Sequence, residues 1–462
     1  MIQNIKTILA TLSMSLVLAS QALALTAQQQ AEAVIQASPV AQKIQQTFKP
    51  EYGNLSFFVE GLTGKLSKFP SKEDERENLI SPKVIGNDQL YGGTGSLSRI
   101  AVLLDRQGKA LNVTVEQYAT LPATFIAAIS DVQYLYLRGA KSLDTMIDLS
   151  AFNNLERLTI AFLDNVQQVI LPKSGSLKKI IINQKKLKRI SNLGLQKKLD
   201  VFISTAENVS GLDELNGYQS LEYLSIELSK SDLDIGSLTN LEKLWVTGPE
   251  YKNIKNIDKL EKLKDLVMED LTDKKLRGVK LPKNIEEIFM RNIAKDSLPQ
   301  IENLPYLKDL AFRAAKDNVL KSVENLPSLQ ELFIVDTNLP TLTGIEKLPS
   351  IKNLTVKESG TIDISAIEAL RYLENLQITD NYLDDISVIA KLPKLVFVNA
   401  SYNQLKVLPK LQPGNHLKSF DFSDNPIETI DPEVLKTYSK VRKNALNTPF
   451  YQSLTRKQQL YF

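Results

Sequence analysis

The sequence contains no cysteine and only one histidine among its 462 residues. The absence of cysteine excludes disulfide bridges, thiolate nucleophiles and metal sites with cysteine ligands. Because His416 is the only imidazole, a Ser–His dyad or a histidine-rich metal site would depend on that residue alone. His416 lies in a predicted loop, where a lone histidine is more often solvated than catalytic. We therefore predict a protein that is not an enzyme and that binds no cofactor.

The sequence also lacks a strong excess of either charge. Its formal net charge is +3, with 24% charged residues, whereas nucleic-acid-binding proteins usually carry a clustered basic excess. Beyond the N-terminus, no apolar run approaches the ~18–20 residues that a membrane span needs. We expect neither nucleic-acid binding nor membrane insertion, and the sequence indicates no particular oligomeric state.

The N-terminus has the three parts of an export signal. Lys6 supplies a positive charge, Thr7–Leu18 is apolar, and Ala22-Leu23-Ala24 matches a small-x-small cleavage site. We therefore predict a signal peptide over residues 1–24. The mature chain is expected to be secreted, with the periplasm as the alternative location.

The clearest pattern is an internal repeat. An aliphatic residue, which we count as offset zero, is followed by apolar residues at offsets three and five, and this unit recurs every 22 residues with one step of 20. An earlier unit opens at Val132, which gives about 14 repeats in all. The remaining units open at Leu155, Leu177, Leu199, Leu221, Leu241, Leu263, Ile285, Leu307, Leu329, Ile351, Leu373, Leu395 and Leu417.

This pattern resembles the L-x-x-L-x-L-x-x-N-x-L motif of leucine-rich repeats, and its 22-residue form is similar to that of the bacterial internalins. The resemblance covers roughly residues 132–430. It implies an α/β solenoid in which each unit adds one strand to a curved parallel sheet and returns through a 3₁₀-like segment. The asparagine of the motif, at offset eight, is present only as Asn381, Asn403 and Asn425, so we expect irregular turns in the middle units.

Both ends of the solenoid are predicted to be capped. We expect two short helices separated at Ser38-Pro39, and a β-hairpin around residues 106–109. Asp431 and Pro432 have the residue types of an N-cap and a first helical position. The predicted segments are a signal peptide (1–24), a small α+β N-terminal domain (25–131), the solenoid (132–430) and a C-terminal helical cap (431–462).

One face of the repeat strands carries apolar side chains that the fold does not need in its core. Residues at offsets two, four and six point away from the core because side chains alternate along a strand. At offset four these residues include Ile181, Ile203, Trp245, Val267, Phe289 and Phe333. Exposed aromatic stripes mark interaction sites, so we predict a binding site on this concave face. The alternative is that the N-terminal domain or long neighbouring side chains cover the stripe.

Charged residues accompany the apolar stripe. At offset two, Asp265, Glu287, Asp309 and Glu331 form a predicted ladder of like charge, and at offset six Arg291 and Arg313 are candidates to compensate it. A solvated face of mixed charge is the alternative to a recognition stripe. Glycosidase carboxylates flank a bond from opposite sides, and no calcium-loop spacing is present, so we do not interpret the ladder as catalytic or metal-binding.

Other clusters are less specific. The run Lys185–Arg189 could contact an anionic polysaccharide, although such runs are usually solvated turns. The glycine-rich Tyr91–Ser96 lacks the Gly-Lys-Ser/Thr of a phosphate loop.

We therefore predict an exported binding protein that holds a protein, which could be a host protein as for internalins, or a surface glycan on its concave face. A structural or adhesive envelope protein is the alternative, and a carbohydrate-active hydrolase is a third.

Overall fold

The computed structural model describes residues 27–47, 54–59, 99–116, 120–121, 123–139, 141–142, 144–163, 165–206, 209–227, 233–248, 254–270, 279–295, 297–316 and 318–462. The predicted signal peptide and the glycine-rich segment 91–96 lie outside these residues. The chain divides into two compact units, residues 1–199 with 209–212, and residues 200–208 with 213–462. The predicted boundary at residue 131 stays a prediction.

The first unit combines three helices with a sheet that is mostly parallel. Its helices are α1 (Ala27–Ala37), α2 (Pro39–Thr47) and α3 (Ala123–Ala128). The sheet contains, in pairing order, β1 (Asn54–Val59), β2 (Arg99–Leu104), β3 (Ala110–Glu116), β5 (Tyr134–Arg138), β8 (Arg157–Ala161) and β10 (Lys179–Asn183). Short outer strands are β4 (Thr120–Leu121), β6 (Lys141–Ser142), β7 (Met146–Asp148), β9 (Gln168–Ile170) and β11 (Arg189–Ser191).

The helix break and the hairpin lie where the sequence places them. Ser38 separates α1 from α2, and its buried hydroxyl accepts from Ala41 N at 3.2 Å and donates to the carbonyl of Gly108. Gly108 has φ of +79°, which a glycine adopts without strain in the tight turn of the hairpin. Strand β3 then pairs in parallel with β5, the first repeat strand. The hairpin therefore continues directly into the repeat sheet.

The second unit is a stack of repeat coils. Its main sheet contains, in pairing order, β12 (Val201–Ser204), β13 (Tyr223–Glu227), β15 (Lys243–Thr247), β17 (Asp265–Glu269), β18 (Glu287–Arg291), β20 (Asp309–Arg313), β22 (Glu331–Val335), β23 (Asn353–Lys357), β24 (Asn375–Gln377), β25 (Phe397–Asn399), β26 (Ser419–Asp421) and β27 (Arg442–Asn444). All these pairings are parallel and in register, as the constant repeat length requires.

The return segments lie opposite the main sheet. Outer strands β14 (Leu233–Asp234), β16 (Ile254–Lys255), β19 (Ile301–Glu302) and β21 (Val323–Glu324) form two small parallel pairs. The 3₁₀ helices of the chain are Leu193–Leu195, Leu212–Leu215, Ile257–Lys259, Val319–Ser322, Ile345–Lys347, Ser365–Ala369 and Ser387–Lys391. The predicted 3₁₀-like returns are thus present in several coils, and short strands replace them in others.

The core of each coil is formed by the predicted offsets. In β20, Leu310 and Phe312 at offsets three and five are fully buried, while Asp309, Ala311 and Arg313 face outward. The same alternation repeats in β15, β18 and β22. Stacking therefore encloses one continuous aliphatic core, because no coil could bury its own apolar side alone.

A left-handed residue ends most strands of the second unit. The residues at offset seven have φ between 49° and 56°, a region in which non-glycine residues are uncommon except for Asn and Asp. They are Asp270, Asn292, Ala314, Asp336, Glu358, Asp380, Tyr402 and Asp424. The backbone N–H of Asp336 still donates to Lys357 O at 2.9 Å, so the turn leaves the inter-coil hydrogen bonds intact.

The C-terminal cap contains one strand more than the sequence suggests. Asp431 caps α4 (Pro432–Thr437) by accepting from Glu433 N at 2.8 Å. Strand β27 then extends the sheet beyond β26, before α5 (Pro449–Ser453) and α6 (Arg456–Gln459). Tyr438 is fully buried, and its hydroxyl donates to Pro409 O at 2.7 Å. The cap is therefore a mixed helix and strand structure.

Candidate ligand-binding face

Five neighbouring strands of the second unit bring apolar side chains together on the outer face of the sheet. Trp245, Val267, Phe289, Ala311 and Phe333 occupy directly paired positions on β15, β17, β18, β20 and β22. We call these five residues the outward strip. Phe333 is 43% exposed, and the other four are half-buried. The strip is therefore not sealed in the core, although parallel sheets usually have both faces covered.

Four acidic residues run beside the outward strip, two positions earlier on each strand. Asp265 pairs in register with Glu287, Glu287 with Asp309, and Asp309 with Glu331. We call these four residues the acidic row. Strands in a sheet are about 4.8 Å apart, so the carboxylates stand side by side as the sequence predicts. Like charges placed directly across a strand pair destabilise the fold.

Partners are present only at the two ends of the acidic row. Lys243 on β15 forms an ion pair with Asp265. At the other end, Asn353 Nδ2 donates to Glu331 Oε1 at 2.9 Å, and Asn353 in turn accepts from Asn375 Nδ2 at 2.6 Å. Among the described residues, Glu287 and Asp309 form no ion pair. The negative charge at the centre of the row is thus uncompensated.

The pKa values of the central carboxyls reflect this crowding. Partial burial, followed by the charges of Asp265 and Asp309, raises the pKa of Glu287. Partial burial, followed by the charge of Glu331, raises the pKa of Asp309, and Lys308 opposes this rise. Lys308 itself contacts Glu286 at 2.6 Å on the neighbouring coil. Both central groups therefore favour the protonated form more than a free carboxyl does.

The arginines at offset six do not compensate the acidic row, in contrast to the sequence-based expectation. Arg291 Nη1 lies 3.6 Å from Glu269 Oε1, on the opposite side of the outward strip. Glu269 is buried, and burial raises its pKa, while Arg291 and then Arg313 counteract the rise through their charges. Two residues along a strand separate offset six from offset four, so the arginines are nearer to Glu269 than to the row.

The outward strip and the acidic row together line a shallow groove. Its volume is about 270 Å³, and its lining includes Val267, Phe289, Phe333 and all four residues of the acidic row. The groove has an apolar floor, one acidic edge and one edge where Glu269 and Arg291 neutralise each other. This arrangement can hold an elongated apolar group and, beside it, positive charge.

The remaining residues of the predicted face differ in accessibility. Ile203 on β12 is only 8% exposed and offers little surface. Ile181 on β10 is half-buried and belongs to the first unit. Arg313 is exposed at the end of β20. The sequence analysis did not single out Glu269, although reading the offset-six column would have placed it beside Arg291 and Arg313.

Neutralising one central carboxylate should stabilise the fold in a way that depends on pH. Because the pKa of Glu287 is raised on folding, its contribution to stability is fully present below the pKa of a free glutamate, about 4.3, and is lost as the pH rises through the folded-state value. Glu287→Gln is expected to raise the free energy of unfolding by about 0.5 kcal/mol at pH 7, a small gain because solvent screens this exposed site.

Urea denaturation at pH 7 and at about pH 3.5 tests this prediction, since the gain should vanish at the lower pH. Glu261→Gln is the control because Glu261 is an exposed turn residue outside the row. A loss of stability at pH 7 in the Glu287 variant alone would show that a cation compensates Glu287 in solution.

Two further searches were made over the described residues. No group of three or more histidine, cysteine, aspartate or glutamate side chains among them could hold a metal ion. In the same part of the chain, the helices are all too short or too polar to cross a membrane.

Comparison with known proteins gives structural matches only. No family model and no curated protein sequence matches the chain. A leucine-rich-repeat protein of Leptospira interrogans is similar with a TM-score of 0.50 and 20% identity, over 74% of this chain and 89% of that one. An internalin of Listeria monocytogenes is similar with a TM-score of 0.38 and 18% identity, over 72% of this chain and 86% of that one. The parallel coils and the Leptospira structure together confirm the predicted fold: the chain is a leucine-rich-repeat solenoid of the kind found in these bacterial proteins.

Proposed function

We propose that the chain is an exported binding protein that holds a partner protein on the outward strip. The observation that carries this proposal is the exposure of Phe333, beside Trp245 and Phe289, on the outer face of a rigid sheet. Aromatic side chains are typical anchors of protein interfaces, since they bury much apolar area at a small cost in side-chain entropy.

A protein partner fits the strip better than a glycan does. Val267 and Ala311 alternate with the aromatic residues along the strip, which gives an uneven apolar surface that complements aliphatic or aromatic side chains. The groove contributes carboxylates on one edge only, and such charge directs partner choice and association rate. The signal-like N-terminus supports export, so the partner would be met outside the cytoplasm.

Removal of the three aromatic side chains tests this function. The variant Trp245→Ala/Phe289→Ala/Phe333→Ala is expected to capture the partner at least about tenfold more weakly, because truncating interface anchors costs ~1–4 kcal/mol each. The measurement is a quantitative pull-down from envelope and host-surface extracts with the immobilised chain.

A second triple variant serves as the control. Tyr306→Ala/Tyr372→Ala/Tyr402→Ala removes three aromatic side chains that are 57%, 51% and 55% exposed and lie outside the strip. This variant should capture the partner as the unmodified chain does. Equal capture by both triple variants, with unchanged circular dichroism, would contradict the proposed function. Fractionation of the source culture would separately decide between a partner in the periplasm and one outside the cell.

A further inference from the structure

The charges on the two edges of the outward strip are not equivalent. On one edge, Arg291 lies 3.6 Å from the buried Glu269, so that pair is close to neutral. On the other edge, Lys243 compensates only Asp265, at the end of the acidic row. The groove is therefore electrically one-sided, and its uncompensated charge is negative.

The centre of the acidic row lacks what an ordinary surface row would have. Glu287 and Asp309 form no ion pair with a described residue, and their closest charged neighbours in the row are acidic. Lys308, the nearest lysine in sequence, contacts Glu286 instead. A cation placed between the two carboxylates would relieve their repulsion and find preformed acceptors.

The dimensions of the groove favour a helix as the element that lies in it. Four strands spaced by about 4.8 Å make the acidic row about 14 Å long. Successive turns of an α-helix are 5.4 Å apart, whereas alternate residues of an extended chain are about 6.8 Å apart. Side chains on one edge of a helix therefore match the spacing of the carboxylates more closely. A helix of roughly three turns would cover the row.

We propose that the occupant of the groove is an amphipathic helix of a partner protein, which places its apolar side on the outward strip and a row of lysine or arginine residues against Glu287 and Asp309. This inference rests on the proposed function and adds the chemistry of the partner. It follows the general mode in which a helix binds a groove through residues one turn apart, with charge complementarity fixing its orientation.

The chain offers its own optical probe for a test. Trp245 is the single tryptophan of the sequence and lies in the outward strip. The titrants are three synthetic helical peptides of about 15 residues, built from leucine on one side and free of tryptophan. They carry lysine, glutamine or glutamate at the positions beside the leucine side. Trp245 fluorescence is followed at low salt and again at about 0.5 M salt, where screening is strong.

The lysine peptide is expected to bind about tenfold or more tightly than the glutamine peptide, and the glutamate peptide most weakly. The variant Glu287→Gln/Asp309→Asn should remove this preference, and high salt should reduce it. The control variant Glu302→Gln/Glu324→Gln makes the same change of charge at a paired acidic position on β19 and β21, and it should retain the preference.

Several results would overturn the inference. They are equal binding of the lysine and glutamine peptides, no binding of the lysine peptide, or an unchanged preference in Glu287→Gln/Asp309→Asn. Self-association in sedimentation that Phe333→Ala abolishes would assign the strip to a second copy of the chain. The proposed function fails separately, when loss of the three strip aromatics leaves capture of the natural partner unchanged.

Discussion

Replacing Asn403 by alanine is expected to lower the free energy of unfolding by about 2–4 kcal/mol. The Asn403 amide is buried in the turn after β25. Its Nδ2 donates to Ile378 O at 2.7 Å and to Ala400 O at 3.1 Å, and its Oδ1 accepts from Leu383 N at 3.1 Å. Alanine would leave these three backbone groups buried without a partner, and each such group costs about 1–3 kcal/mol.

Equilibrium denaturation and amide hydrogen exchange together test this prediction. Stability in a repeat protein is a sum over coils and their interfaces, so exchange at Leu383 N should accelerate more than exchange at distant coils. Asn338→Ala is the matched control, because Asn338 is an exposed asparagine at the adjacent offset nine of its coil, where a change within about 0.5 kcal/mol is expected. A similar loss in both variants would show that the turn amide is not a structural element.

The asparagine column also shows how far the sequence predicts the turns. Asn381, Asn403 and Asn425 occupy the expected position and bridge neighbouring coils. In the first unit, Gln184 replaces the amide from one position earlier, accepting from Leu163 N at 2.8 Å and donating to Leu163 O. Its longer side chain reaches the same kind of backbone groups. A motif search at a fixed offset misses this replacement, since only the path of the chain reveals it.

The candidate face was predictable where strict alternation governs it, and less so where packing does. Offsets two and four fix the acidic row and the outward strip, because register in a parallel stack follows from equal repeat length. The pairing of Arg291 with Glu269 depends on a contact between neighbouring strands that sequence spacing does not order. The low exposure of Ile203 also depends on its surroundings rather than on its offset.

Truncation of Phe312 to alanine is expected to cost about 3–5 kcal/mol of stability, as large core truncations do. Phe312 lies at offset five of β20, fully buried behind the outward strip. Alanine there would leave a cavity among closely packed aliphatic side chains, and the coils on both sides would lose contacts. Calorimetry should record a lower melting temperature, and the strands that carry the acidic row should exchange their amides faster.

Phe333→Ala makes the same chemical change on the opposite side of the sheet. Phe333 is 43% exposed at offset four of β22, next to Ala311 of β20. Since much of its ring already contacts solvent, its truncation should cost less than about 1 kcal/mol of stability, yet weaken partner capture as a truncated anchor does. The two variants thus separate the core from the binding face. If Phe333→Ala destabilised the chain as strongly as Phe312→Ala, the strip would belong to the core, and the case for a binding face would fail.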